Sequence, residues 1–165
     1  MATILTNQKY AMINLVKSMT QLGGYNYDWD TANQLEYNIG TFPRVYCMAK
    51  KEDNLDSLAG LGSNDYTNRV FWEIHIVGML SFPSDNPMFD IDDVLFPALD
   101  DLKKIMGCPT SGVGYNLNGT CDSFLYRGFE NDYASKDQFV PRDMITKWEA
   151  VYSVDRTNPT RYAGS

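Results

Sequence analysis

The chain has no apolar stretch long enough to cross a bilayer as a helix; its hydrophobic runs fall well short of the roughly 18 residues that a span needs. Basic residues are scarce as well. Fourteen Lys and Arg stand against 21 Asp and Glu, for a formal net charge of -7, and they gather no further than the doublets Lys50-Lys51 and Lys103-Lys104. A phosphate backbone is gripped by concentrated Lys and Arg and repels an acidic chain at long range, so the composition argues against sequence-specific DNA binding. Three cysteines, Cys47, Cys108 and Cys121, form no C-x-x-C pair, and the N-terminus shows no charged, apolar and small-residue succession of a secretion signal. These features predict reduced thiols in a cytoplasmic setting.

Signatures of catalysis are missing too. There is no Gly-x-Ser-x-Gly elbow, phosphate loop or dinucleotide fingerprint; Gly60-Leu61-Gly62 and Gly112-Val113-Gly114 lack the third glycine or the lysine such loops need. His75 is the sole histidine. A catalytic imidazole needs an orienting partner and a nucleophile, so a mid-strand histidine reads as packed or as part of an interface. Asp90-Ile91-Asp92-Asp93 is the one acidic cluster with a metal-like look. It has no glycine turn and no distal glutamate at calcium-loop spacing, and its carboxylates stand where they cap a helix and meet its positive end. Glu73 and Glu149 lie on different predicted strands and can face each other, a common arrangement on a solvated face. The expectation is no enzyme, no metal and no cofactor.

What is present is an ordinary globular composition: 165 residues, 44% hydrophobic and 21% charged. At this length about 70% of the unfolded surface is buried on folding, enough for one core without staples. Tyr10, Met12, Ile13, Val16 and Met19 recur at helical spacing behind Thr6 or Asn7 as cap, which predicts a helix over 6–22 closed by Gly23-Gly24. Thr31 is a candidate cap for a short helical turn before Gly40. Alternation predicts strands over 44–50, 69–80 and 144–154, the second apolar on both faces and therefore central. Ile91, Val94, Leu95, Ala98, Leu102 and Ile105 predict a second helix, which either begins near Phe96 with Pro97 in its first turn or bends at Pro97. Asn118-Gly119 predicts a tight hairpin between 113–117 and 120–126. The class is α+β: one domain over 1–154, mainly antiparallel sheet packed by two principal helices, with 155–165 as an extended arm.

Two segments look unsatisfied. The connection 54–68 carries Leu55, Leu58 and Leu61 at three-residue spacing, and Tyr25, Tyr27 and Trp29 form an aromatic patch outside regular structure. Long loops are usually functional or disordered, and Tyr and Trp are enriched at interfaces. Either these groups fold back on their own core or they meet a partner. Pro159 and Tyr162 in the arm are further interface candidates.

The order of motifs resembles a known family. An amphipathic helix leads through Gly23-Gly24 and aromatics to Phe42-Pro43-Arg44-Val45-Tyr46. A long loop follows, then Phe71-Trp72-Glu73-Ile74-His75-Ile76-Val77, then an Asp92-Asp93-Val94 helix, and Trp148-Glu149-Ala150-Val151-Tyr152 precedes an Asn158-Pro159 tail. This ordering resembles the tail terminator, or tail completion, proteins of long-tailed bacteriophages, over most of the chain. The resemblance implies a virion subunit assembled in the host cytoplasm into a ring, typically a hexamer. Such a ring sits on the head-proximal end of the tail tube, stops tube growth, meets the head connector and, in contractile tails, the sheath, and lets DNA pass unread. Another neck or head-completion subunit is the near alternative. A small metal-dependent cytoplasmic enzyme built on Asp90, Asp92 and Asp93 is the distant one.

Overall fold

The structure, a computed structural model, describes residues 3–31, 41–55, 65–81, 92–106, 114–132 and 139–164. Among them run α1 (Ile4–Lys17), β1 (Asp30–Thr31), β2 (Arg44–Asn54), β3 (Asp65–Ser81), α2 (Asp92–Met106), a single 3-10 turn (Gly114–Asn116), β4 (Ser123–Asp132), β5 (Phe139–Asp155) and β6 (Asn158–Tyr162). The strands form one sheet in the order β1-β2-β3-β5-β4, with β6 paired to β5. Only the β1–β2 pair is parallel. The chain is a single α+β domain with a mostly antiparallel sheet and two helices.

Both helices pack on one face of that sheet. The face carries Val45 and Cys47 of β2, the row Val70, Trp72, Ile74 and Ile76 of β3, Phe124 of β4 and the row Met144 to Val154 of β5, all buried together with Met12 and Val16 of α1 and Leu95, Leu99 and Leu102 of α2. β3 and β5 are central and pair over their full lengths, from Asp65↔Asp155 to Ser81↔Phe139. Alternation along them therefore decides which side chains enter the core. The Trp148 ring stacks on Phe124 at 5.1 Å in the middle of that core.

Several elements differ from their sequence outline. The first helix starts earlier: the Thr3 hydroxyl caps it by accepting from Thr6 N at 3.1 Å. It also ends at Lys17, because the Ser18 hydroxyl donates to Leu15 O at 2.6 Å and Met19 turns into the core while Leu22 is fully exposed. The second helix does not begin near Phe96; it starts at Asp92, one turn earlier, and runs through Pro97, in line with the other of its two readings. Asp92 and Asp93 occupy its first turn, at the positive end of the helix dipole.

The tight Asn-Gly hairpin does not form. Asn118 and Gly119 take positive φ, but so does Leu117 (φ 47°), and Gly119, Thr120 and Cys121 all donate to Asn116 O at 3.1–3.2 Å. Burial of the Leu117 side chain pulls the segment inward as a turn that closes the 3-10 helix. β4 accordingly starts at Ser123 and runs on to Asp132, and β5 begins at Phe139, so much of the expected polar connection 128–142 is strand. Likewise β2 and β3 extend to Asn54 and back to Asp65 and take over both ends of the expected loop 54–68. The expected C-terminal arm folds back as β6, with Ala163 N donating to Ser153 O at 2.9 Å. The short helical turn expected before Gly40, Asp90 and Cys108 lie outside the described residues.

Candidate assembly surfaces

The aromatic segment 25–29 is held by α2. Asp101, buried on a helix otherwise apolar on that side, accepts from Asn26 N at 2.9 Å, Tyr27 N at 3.2 Å and the Trp29 indole Nε1 at 2.9 Å. Tyr27 O–H donates to Val94 O and the Asn26 amide to Pro97 O, each at 3.0 Å, which supplies donors to helix carbonyls around the proline. Lys104 donates to Gly24 O at 3.0 Å and lies 4.7 Å from the Tyr25 ring. Burial, and secondarily the Asp101 charge, raises the proton affinity of the Tyr25 and Tyr27 hydroxyls. Trp29 is buried, so of the two readings of this patch its indole takes the one that folds back on the chain.

At the other terminus, Tyr162 O–H donates to Asp122 at 2.5 Å, and the ring packs on the core. Its proton affinity is raised by burial and then by that carboxylate. Pro159 is exposed on β6 and borders a cleft with Thr3, Glu52, Tyr66 and Tyr152, whose hydroxyl bonds to Glu52. Leu55 closes β2, its N–H donating to Thr67 O at 2.9 Å, with its side chain 42% exposed. Leu58 and Leu61 lie outside the described residues.

The sheet face away from the helices carries paired charge. His75 is buried; its Nε2 stands 2.9 Å from Glu73 Oε2, and its ring meets Tyr46 edge-on at 6.3 Å. Glu73 also lies 3.9 Å from Lys50. Register sets Glu73 opposite Lys147 and Glu149 opposite Phe71, so the two glutamates share a face without meeting. Glu149 takes Arg127 at 2.8 Å and Glu130 takes Lys147 at 2.6 Å. A cleft of about 430 Å³ lies over Phe71 between these pairs.

Burial pushes the Cys47 and Cys121 thiols up to about 12, away from the nucleophilic thiolate. Among the described residues no three His, Cys, Asp or Glu side chains gather as metal ligands. What the geometry offers is surface. Large hydrophobic side chains stay exposed at Tyr10, Leu22, Leu55, Phe96, Tyr115, Leu125 and Phe129. The sheet also ends on two different rims: β4 at one side and, beyond the short β1, the stretch of β2 from Tyr46 onward at the other. Neither rim meets a further strand among the described residues.

Reasoning on sequence missed the two polar side chains that place α1 and α2. Gln8 stands between Ile4 and Met12, and Asp101 between Ala98 and Ile105, each a polar residue on an apolar helical stripe. That interruption is the signal, since a buried polar group needs a partner. The rim pair Phe96 and Phe129 was missed because nothing local joins residues 33 positions apart; the rings meet edge-on at 6.1 Å. The chain matches no protein-family model and no curated protein.

Proposed function

We propose that this chain is a structural subunit of a long-tailed phage tail, of the tail terminator kind. Its copies would close head to tail into a ring, six-membered by the family resemblance, on the head-proximal end of the tail tube. The observation that carries the reading is the pair of unlike rims on one sheet, neither of which meets a further strand among the described residues. A ring needs a heterologous contact, one patch against a different patch on the neighbour, and a sheet with two distinct edges supplies both from one subunit. Exposed strand edges are otherwise a hazard that proteins cover or blunt. Exposed Leu55 at the end of β2 fits the same role, as part of the edge that a neighbour covers. The net charge of -7 suits a lumen through which DNA slides without being held. In this role the ring meets the tube protein on one side and the head connector on the other, with no cofactor and no chemical step.

The test is negative-stain imaging of tail tubes incubated with the purified chain, followed by addition of tube subunits. A ring at one tube end and arrested elongation are expected. Tubes that elongate unhindered beside unbound chain overturn the proposal. Leu55→Asp is expected to weaken ring formation while leaving the thermal unfolding temperature unchanged.

A further inference from the structure

The two rims differ in charge and in shape. On the β4 rim, Phe96 of α2 and Phe129 of β4 meet edge-on at 6.1 Å and remain 44% and 40% exposed, forming an aromatic knob. Asp93, Phe96 and Asp100, at spacings of three and four, share one face of α2, and all three are exposed. The cations nearby are engaged elsewhere: Lys103 sits 4.8 Å from the Tyr126 ring, exposed Lys104 is bound to Gly24 and Tyr25, and half-exposed Arg127 of β4 pairs with Glu149. On the β2 rim the pattern is reversed. α1 has two lysines and no acidic residue. A groove of about 240 Å³ runs between α1 and the strand edge, lined by Leu5, Thr6, Lys9 and the stretch Tyr46 to Ala49. Lys9 reaches round that edge to within 5.4 Å of the Tyr46 ring, and Lys50, half exposed at the bulge in β2, stands beyond the groove on the far face of the sheet, 3.9 Å from Glu73.

We infer that the Phe96–Phe129 knob of one copy seats in the α1–β2 groove of the next, with Asp93 and Asp100 facing Lys9 and Lys50. The occupant is a second copy of this chain because knob and groove are complementary in both shape and sign and lie at opposite rims of one sheet. Each copy then uses both surfaces, which is the geometry of a head-to-tail contact. Aromatic anchors in a pocket, ringed by charges of opposite sign, are the usual energetic centre of such an interface. The inference deepens the ring proposed above. The two fail separately: a ring that forms but leaves tubes growing sinks the tail role alone, and a ring that survives rim reversal sinks the rims alone.

Two variants test it, one per rim: Lys9→Glu with Lys50→Glu, and Asp93→Lys with Asp100→Lys. Lys50, Asp93 and Asp100 are exposed and Lys9 is half-buried, and unchanged thermal unfolding monitors folding. In sedimentation across concentration, each variant alone is expected to lose association by at least about tenfold relative to the unaltered chain, since like charges now face each other. Mixed, each knob meets a groove of opposite sign on the other variant, so the two should co-assemble in alternation into species larger than a dimer. The chain carrying all four changes restores opposite signs and should associate again. Phe96→Ser, which removes the knob without touching charge, should act like the single-rim variants. An unaltered chain that stays monomeric at all concentrations, variants that associate normally, or a mixture that stays monomeric would each overturn the inference.

Discussion

The indole N–H of Trp72 donates to the side-chain oxygen of Gln8 at 3.0 Å with both groups buried, and this bond ties the first helix to the middle of the sheet. The amide of the same Gln8 donates to Thr120 O at 3.4 Å, so one side chain joins α1, β3 and the turn before β4.

Replacing that glutamine tests the tie. Gln8→Leu leaves the Trp72 N–H buried without its acceptor, which costs about 1–3 kcal/mol. At roughly 2–4 °C per kcal/mol for a domain of this size, the unfolding temperature should fall by several degrees. Adding Trp72→Phe removes the stranded donor, and the double variant should lose less than the sum of the two single changes. Additive losses in thermal unfolding would show that the bond does not couple the helix to the sheet.

Asp101 is the corresponding anchor for α2. Asp101→Leu strands Asn26 N, Tyr27 N and Trp29 Nε1 together, and the expected loss is about 3 kcal/mol or more. Trp29→Phe strands no donor and lets one bond go, for about 1 kcal/mol. Urea unfolding followed by tryptophan fluorescence separates the two. Equal losses would mean that Asp101 serves Trp29 alone.

Gly78, within β3, has φ +143°, and a Cβ there would stand 2.6 Å from the Phe42 Cα. Backbone strain of this kind costs about 1–3 kcal/mol, and the neighbour is main chain that cannot swing aside. Gly78→Ala should therefore lower the urea midpoint clearly, whereas Gly119→Ala, with open space around it, should show the positive-φ cost alone. Equal midpoints for the two variants would refute the close approach.

Alkaline pH should destabilise the fold. Burial raises the Cys47 and Cys121 thiols to about 12 from an ordinary 9.0, and burial followed by the bond to Glu52 raises Tyr152. Groups that hold protons more tightly when folded contribute fully below their unfolded values and lose that contribution as pH rises toward their folded ones. Stability should be flat from neutral pH to about 9 and then fall, each thiol adding a slope of about 1.4 kcal/mol per pH unit up to about 12. Urea midpoints at pH 7, 9 and 11 check this, and an unchanged midpoint at pH 11 refutes it. In Cys108→Ser chain at pH 8, an aromatic disulfide reagent should find no reactive thiol until urea unfolds the protein.

Periodicity was enough for the parts of the fold in which each residue's place follows from its neighbours. The apolar stripe of α1, the alternation of Val70, Trp72, Ile74 and Ile76, and the alternation from Met144 to Val154 all name the core face before any contact is known. The carboxylates Asp92 and Asp93 likewise belong at a helix start for local reasons. Strand ends were less tractable. Asp65 to Asn68 look like loop because they are polar, yet they pair with Tyr152 to Asp155 across the sheet. A sheet rim tolerates polar residues once a long partner strand is present.

By itself, then, the sequence determined the α+β class and the faces of the long strands, because burial pattern and composition act locally. Tertiary structure alone decided that Asn118-Gly119 closes a 3-10 turn, that Trp29 turns inward and that Phe96 meets Phe129. Leu117 had to find the core, Trp29 had to find a carboxylate 72 residues away, and the two rings had to be brought together by a helix and an edge strand. Those partners are set by how the layers stack, and no window along the chain contains them.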